Sequence, residues 1–119
     1  MNWILGEIAR IRNTFVWSWQ GWLSAWAREK SLRQWSLVNV ISICLSFLIE
    51  MTPKERALIL SLGLLVLAAE LANTAIEEAV DYISEDRDER AKRAKDAGSA
   101  MVALTALAGG VAWVVILIG

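Results

Sequence analysis

The stretch Ala69–Asp81, A-E-L-A-N-T-A-I-E-E-A-V-D, decides the fold because it places acidic side chains on the continuation of an apolar helix. The preceding run, Ala57–Ala69, contains no charged residue. Each residue of an α-helix turns by about 100°, so four polar side chains fall on one narrow face: Glu70, Asn73, Glu77 and Asp81. An acid at membrane depth is costly and by default marks a functional site. The alternative is a polar stripe that only holds helices together, but repeated carboxylates repel one another unless a cation lies between them.

Composition places the chain among membrane proteins. Hydrophobic residues make up 56% of 119 residues, and the mean hydropathy is +0.44, so residues 1–119 are expected to form one small integral-membrane domain. The net charge of −1 provides no basic field for nucleic acid. No histidine is present, which excludes Ser-His-Asp triads and His-ligated zinc. Acid–base chemistry must therefore come from carboxylates or lysine.

Residues 1–28 carry the pattern of an amphipathic helix lying on a membrane surface. Apolar side chains recur at helical spacing at Ile4, Ile8, Ile11, Phe15, Trp19, Trp22 and Trp26. Five of the seven tryptophans fall in this segment, and indole rings favour the headgroup level. A soluble core helix is the alternative, but a core rarely needs so many tryptophans.

Three further segments are predicted to cross the membrane, which makes the fold class an all-α membrane protein. They are residues 35–49, residues 53–84 with a cytoplasmic extension, and residues 88–118. Thr52-Pro53-Lys54-Glu55 has the spacing of a capping box and starts the second span. Asp86 or Asp88 is expected to cap the third.

Basic residues predict the orientation of these spans. Lysine and arginine are concentrated in the first 34 residues and between Arg87 and Lys95, whereas the turn between the first two spans holds only Lys54 and Arg56. Positive charge favours the cytoplasmic side. The N-terminus and the charged loop between the second and third spans are therefore expected to be cytoplasmic, and the acidic stripe then ends at the cytoplasmic interface.

Lys95 and Asp96 begin the third span near that stripe. Carboxylates with open coordination positions suit Mg²⁺ shared with substrate phosphates, and a nearby lysine suits phosphoryl transfer. A lysine that only snorkels and balances Asp96 is the alternative. The chain has no P-loop and no protein-kinase motif. A different class, an ion-conducting oligomer or a scaffold lined by the stripe, stays open, although a cation path gains nothing from a lysine at its mouth.

Four motifs resemble the bacterial integral-membrane diacylglycerol kinase family, whose close relatives phosphorylate undecaprenol. They are the stretch 69–81, R-A-K-D-A-G-S-A at 93–100, W-x-x-E at 26–29 and R-Q at 33–34. The resemblance implies a homotrimer in the bacterial inner (cytoplasmic) membrane, with sites between subunits that transfer the γ-phosphate of ATP to a lipid hydroxyl with Mg²⁺. G-S-A at 98–100 and W-S-W-Q-G-W at 17–22 look more like the diacylglycerol kinases of Gram-negative bacteria, with undecaprenol as the alternative substrate.

The resemblance also implies roles for individual residues. Glu70 would act as base or hydroxyl positioner, Asn73 would organise the transferring phosphate, and Lys95 would neutralise its charge. Glu29 and Glu77 would bind the metal. The nucleotide would contact Arg10, Trp17, Glu29, Glu77, Asp81, Lys95 and Asp96, and the lipid would contact Glu70, Gln34, Ser99 and Trp113. The chain departs from the family at Trp17, where relatives often have tyrosine, and at Asp88, where a histidine can occur.

Overall fold

The computed structural model describes residues 1–119 as four α-helices with no strand. The helices are α1 (Asn2–Arg28), α2 (Lys30–Leu48), α3 (Pro53–Ile83) and α4 (Glu89–Ile118). By length and composition, α2, α3 and α4 are each long and apolar enough to cross a membrane. The predictions of an all-helical chain and of three candidate membrane spans are therefore confirmed.

Helix α3 is the centre of the bundle, because both α2 and α4 pack along it. It contributes three of the seven apolar residues that are buried, Ile59, Val66 and Ala69, more than any other helix. Only 11 of 119 residues are buried, and most large apolar side chains face outward. A water-soluble chain could not leave so much apolar surface uncovered, so this surface requires lipid or other subunits.

The turn between α2 and α3 is held by three local interactions. The predicted capping box is confirmed: Thr52 Oγ1 accepts from the Glu55 N–H at 3.2 Å, and Glu55 Oε1 accepts from the Thr52 N–H at 2.8 Å. Arg56 donates to the carbonyl of Ser46 at 3.0 Å, and its guanidinium lies 4.8 Å from the centre of the Phe47 ring. The last turn of α2 leaves carbonyls without helical partners, so Arg56 joins the end of one helix to the start of the next.

Glycine lets α2 and α3 approach closely in mid-membrane. Asn39 of α2 donates to the carbonyl of Gly63 at 3.0 Å. A Cβ at Gly63 would lie 2.2 Å from Asn39 Oδ1, which no side chain could occupy without a shift of the asparagine. The amide of Asn39 therefore finds a backbone partner within the bundle, which membrane depth requires of polar groups.

Helix α2 begins at Lys30, five residues before the predicted start of the first span. The polar segment 30–34 forms its first turn, because hydropathy marks the part of a helix that enters lipid rather than the part that is helical. Only Glu29, with φ −107° and ψ 106°, separates α2 from α1.

The radius of gyration is 18.0 Å, against about 13.5 Å for a compact chain of this length, so α1 extends away from the bundle.

The charged loop between α3 and α4 spans residues 84–88. Asp88 caps α4, since its Oδ1 accepts from the N–H of Arg90 at 2.7 Å. This is one of the two caps that the sequence indicated. The other, Asp86, lies inside the loop and donates its own N–H to Ser84 Oγ at 3.0 Å.

Candidate active site

The buried carboxylate of Glu70 on α3 has two other carboxylates near enough to act on its charge, and these form the acidic cluster. Glu70 is buried, with 6% of its surface exposed, and the charges of Glu29 and Glu77 both act on it. Glu29 and Glu77 are themselves half-buried. The indole of Trp35, one turn into α2, lies against the Glu70 carboxylate. Like charges held this close are unfavourable unless a cation or a proton is shared among them, so this arrangement favours a cation-binding or proton-transferring role.

Asn73 connects this cluster to α4. Its Nδ2 donates to Glu77 Oε1 at 3.3 Å, while its Oδ1 is buried with no hydrogen-bond partner. That oxygen lies against Gly98 of α4, where an added Cβ would come within 2.3 Å of it. Gly98 thus makes room for the asparagine amide, and a buried acceptor without a partner is available to a ligand.

We expect Gly98→Ala to reduce activity far more than stability. The new methyl group would displace the Asn73 amide and break its hydrogen bond to Glu77, whereas alanine is a better helix former than glycine. A loss of roughly tenfold in turnover is expected, because small misplacements of positioned groups can cost up to about 10²-fold. Initial rates and melting temperatures of the variant should be compared with those of Gly110→Ala, where nothing lies within 4 Å. Equal activity of both variants would contradict this role of Gly98.

Lys95 pairs with Asp81 rather than with its neighbour Asp96. Lys95 Nζ lies 2.6 Å from Asp81 Oδ1, and both side chains are about half exposed. Asp96 instead accepts from Lys92 at 2.7 Å. The alternative in which Lys95 balances Asp96 is therefore wrong, because adjacent residues of a helix point about 100° apart.

An open cavity of about 570 Å³ adjoins this pair where α3 ends and α4 begins. Both carboxylates and amines line it: its wall includes Asp81, Lys95, Asp96, Lys92 and residues 84–89, which are the loop and the first residue of α4. Asp81, Lys95 and Asp96, all predicted to contact nucleotide, are thus brought to one opening. The wall of this cavity therefore carries lysine ammonium groups as well as carboxylates, which suits a polar, charged ligand.

Other predicted site residues lie away from the cluster within one chain. Arg10 and Trp17 are exposed on α1, and Arg10 forms an ion pair with Glu7. At 1.5 Å per residue they are about 27 Å and 17 Å from the end of α1 that meets the bundle. The chain alone therefore does not bring Arg10 and Trp17 to Glu70. Gln34 and Ser99 are exposed on α2 and α4, next in sequence to Trp35 and Gly98.

Trp113 lies about 27 Å along α4 from Lys95 by the helical rise, near the other end of that helix. Its indole donates to Ser42 Oγ at 2.9 Å. Both side chains line an apolar cavity of about 220 Å³ between α2, α3 and α4, together with Gly109 and Gly110. The predicted lipid contact at Trp113 is thus separate from the carboxylate cluster.

Sequence reasoning missed three residues that border the cluster. Trp35 contacts Glu70, and no pattern in the sequence indicates this contact. Arg28 donates to Glu78 at 3.2 Å, a pair between residues 50 positions apart that no local spacing indicates. The sequence holds one signal for this ion pair: Arg28 directly precedes Glu29 and Glu78 directly follows Glu77, the two predicted metal ligands.

The donor set fits Mg²⁺ shared with a phosphate ligand. Nowhere in the chain do three or more acidic, histidine or cysteine side chains converge as a complete metal site. Mg²⁺ in phosphate-handling sites usually takes one or two carboxylates, with phosphates and water completing its shell. Glu29 and Glu77, both close to Glu70, are the two carboxylates available for this purpose.

The chain is similar to known proteins of one family. A family model described as prokaryotic diacylglycerol kinase matches residues 16–117. A diacylglycerol kinase of Pseudomonas aeruginosa is 43% identical over 112 residues, covering 94% of this chain and 91% of the relative. The diacylglycerol kinase of Escherichia coli K12 is 32% identical over 108 residues, covering 91% and 88%. That of Haemophilus influenzae is 38% identical over 82 residues, covering 69% and 70%.

Proposed function

Because the chain belongs to the prokaryotic diacylglycerol kinase family, we propose that it transfers the γ-phosphate of ATP to the primary hydroxyl of diacylglycerol and forms phosphatidic acid. The observation that carries this proposal is the order of groups along α3. Asp81, paired with Lys95, lies at the exposed end, Glu77 and Asn73 follow, and Glu70 is buried deepest. A charged nucleotide would approach from the exposed end and a lipid hydroxyl from the buried end.

The transfer assigns a distinct task to each group. The lipid hydroxyl oxygen forms a bond to the γ-phosphorus while the bond from that phosphorus to the β–γ bridging oxygen breaks, and ADP leaves. Glu70 accepts the hydroxyl proton. Lys95 stabilises charge on the phosphoryl oxygens, and Asn73 holds Glu77 in place through its hydrogen bond. Asp96, with the paired Asp81, contacts the nucleotide at the cavity.

Glu29 and Glu77 would hold Mg²⁺, which when bound neutralises phosphate charge. The two carboxylates come from different parts of the fold. Glu77 lies on the rigid middle of α3, whereas Glu29 is the single extended residue between α1 and α2. The carboxylate of Glu29 therefore depends on how the α1–α2 junction is held.

We infer a homotrimer with active sites between subunits, and the uncovered surface of α3 supports it. Small side chains recur on its exposed face at Ser61, Ala68, Ala72, Ala75 and Ala79, a pattern that suits close helix packing in lipid. Arg10 and Trp17 of α1 do not reach the cluster of their own chain, so a neighbouring subunit is the place where they could contact nucleotide. Gln34 and Ser99, exposed near the interface, would contact the lipid.

The chain is a multi-pass membrane protein, and we assign it to the bacterial inner membrane. The two clusters of lysine and arginine support a cytoplasmic N-terminus and a cytoplasmic loop between α3 and α4. With this orientation, the Lys95–Asp81 opening faces the compartment that holds ATP. The apolar stripe of α1, from Ile4 to Trp26, is exposed and would lie on the same membrane face.

The test is phosphate transfer from labelled ATP to diacylglycerol and to undecaprenol, assayed in parallel in mixed micelles with Mg²⁺. We expect diacylglycerol to be phosphorylated at least tenfold faster at equal surface concentration. Relatives named diacylglycerol kinase cover most of the chain, and that is the reason for this expectation. ATP with Mg²⁺ should also raise the melting temperature of the solubilised protein, since a ligand stabilises the fold that binds it.

Each result has a definite consequence. A preference for undecaprenol would retain the transfer chemistry and change the acceptor. No product on either lipid, together with no thermal response to ATP and Mg²⁺, would reject the kinase and support the ion-conducting or scaffold alternative.

A further inference from the structure

An ion pair joins the two chain segments that carry the proposed metal ligands. Arg28 Nη1 donates to Glu78 Oε1 at 3.2 Å. Arg28 directly precedes Glu29, and Glu78 directly follows Glu77. The pair therefore ties the end of α1 to α3 one residue away from each carboxylate. Arg28 is itself held by Ser24, whose Oγ accepts from Nη2 at 2.9 Å, so its guanidinium is positioned on both sides.

A second arginine closes the junction around Glu29. Glu29 is the only residue between α1 and α2, and its backbone is extended. Arg33, one turn into α2, donates to the carbonyl of Trp26 at 2.6 Å and to that of Ala27 at 3.5 Å. These carbonyls belong to the last turn of α1, which has no helical partners for them, and a cation there is favourable. Arg33 thus fixes the direction in which α1 leaves α2.

We propose that Arg28, Glu78 and Arg33 form an elbow clamp that sets the separation between the Glu29 and Glu77 carboxylates, and thereby the affinity for the divalent cation. This inference rests on the proposed function, because it needs Glu29 and Glu77 to share a metal. The three members are positioning residues, since none of them is assigned a contact with metal or substrate. Their effect passes through the backbone of the adjacent ligand.

An exposed ion pair ordinarily contributes little to the stability of a protein. Arg28 and Glu78 are each more than half exposed, and such pairs have small effects on stability. Metal affinity is more sensitive, because groups that orient metal ligands commonly change affinity by about 10–100-fold when removed. Arg28 and Glu78 adjoin the metal ligands in sequence rather than touching the metal, and their ion pair is partly exposed. We therefore expect loss of the pair to weaken metal affinity by about three- to tenfold.

The test compares Arg28→Gln, Glu78→Gln and Arg33→Gln with the charge-reversed double variant Arg28→Glu/Glu78→Arg. Transfer rates are measured against free Mg²⁺ at saturating ATP and diacylglycerol. Metal binding is measured separately from activity, as the loss of the free Mn²⁺ resonance signal in the presence of a non-hydrolysable ATP analogue. Arg12→Gln and Glu50→Gln serve as controls, because they remove the same charges from exposed positions with no ion-pair partner in the chain.

Each single variant should need about three- to tenfold more Mg²⁺ for half-maximal rate and bind Mn²⁺ correspondingly more weakly, with kcat at saturating Mg²⁺ within about twofold of the unaltered protein. The charge-reversed variant should recover most of the affinity, and the controls should not change. A purely structural role would lower the melting temperature without moving the metal dependence. Unchanged metal dependence in the single variants, or no recovery on reversal, would overturn the clamp. An unaltered protein that is inactive and binds no metal would instead overturn the proposed function.

Discussion

Replacing Glu70 by alanine is expected to lower phosphate transfer by about 10²- to 10⁴-fold, the range that a positioned general base contributes. Glu70 is the buried acid of the cluster, with 6% of its surface exposed. Glu29 and Glu77 are only half-buried and are assigned to the metal, so neither replaces it. Initial rates at saturating ATP, Mg²⁺ and diacylglycerol provide the measurement. Glu70→Gln, which keeps the volume and loses the base, should be about as inactive.

The same substitution is expected to leave the protein at least as stable as before. Two carboxylates act on the charge of Glu70, and removing one of three like charges relieves repulsion. The melting temperature without ligands should therefore stay constant or rise, as is common where a functional site is strained. Glu50→Ala, at an exposed position in the turn between α2 and α3, controls for loss of a carboxylate. Near-normal transfer by Glu70→Ala would remove its assigned role, and a variant that fails to assemble would show that the residue is structural.

The elements of the fold could be predicted from the sequence because each depends on local pattern. The polar stripe of α3 follows from helical periodicity, and the capping box at Thr52 follows from the spacing of four residues. Asp88 was one of two possible caps, and only the loop geometry distinguishes it from Asp86. The hydropathy pattern predicted a membrane span from residue 35 and carried no signal for the start of α2 at Lys30, since such a pattern does not report helix that lies outside lipid.

The contacts that build the candidate site could not be read from local spacing. Lys95 binds Asp81, 14 residues away, and Arg28 binds Glu78, 50 residues away. Both pairs depend on how α3 packs against a neighbour, and sequence separation carries no signal for that register. Trp35 was missed for the same reason, because its contact with Glu70 crosses from α2 to α3.

Glycine and asparagine set that register at two places. Asn39 of α2 lies against Gly63 of α3, and Asn73 of α3 lies against Gly98 of α4. The first asparagine satisfies its amide on the Gly63 carbonyl, whereas the second leaves Oδ1 without a partner and directs Nδ2 to Glu77. The same pairing therefore serves packing at mid-membrane and leaves hydrogen-bonding capacity free at the candidate site.

Replacing Glu77 by alanine is expected to reduce transfer by at least about 10- to 100-fold, since loss of a metal ligand should cost no less than loss of a group that only orients one. The alanine variant removes two functions at once, because Asn73 also loses the acceptor for its Nδ2. Glu77→Gln separates them: its amide oxygen can still accept from Asn73, but its charge is gone. If the metal role dominates, both variants should be equally inactive.

The melting temperature provides the second measurement for Glu77. The unaltered protein should gain stability from ATP with Mg²⁺, and both Glu77 variants should lose most of that gain because they bind the metal–nucleotide complex more weakly. Glu29→Gln should behave in the same way, since Glu29 is the other assigned ligand, whereas Glu78→Gln, one residue along, should keep a thermal gain reduced only by its weaker metal affinity. An active Glu77→Gln protein beside an inactive Glu77→Ala protein would show that Glu77 acts by holding Asn73, and the metal would then need a different ligand.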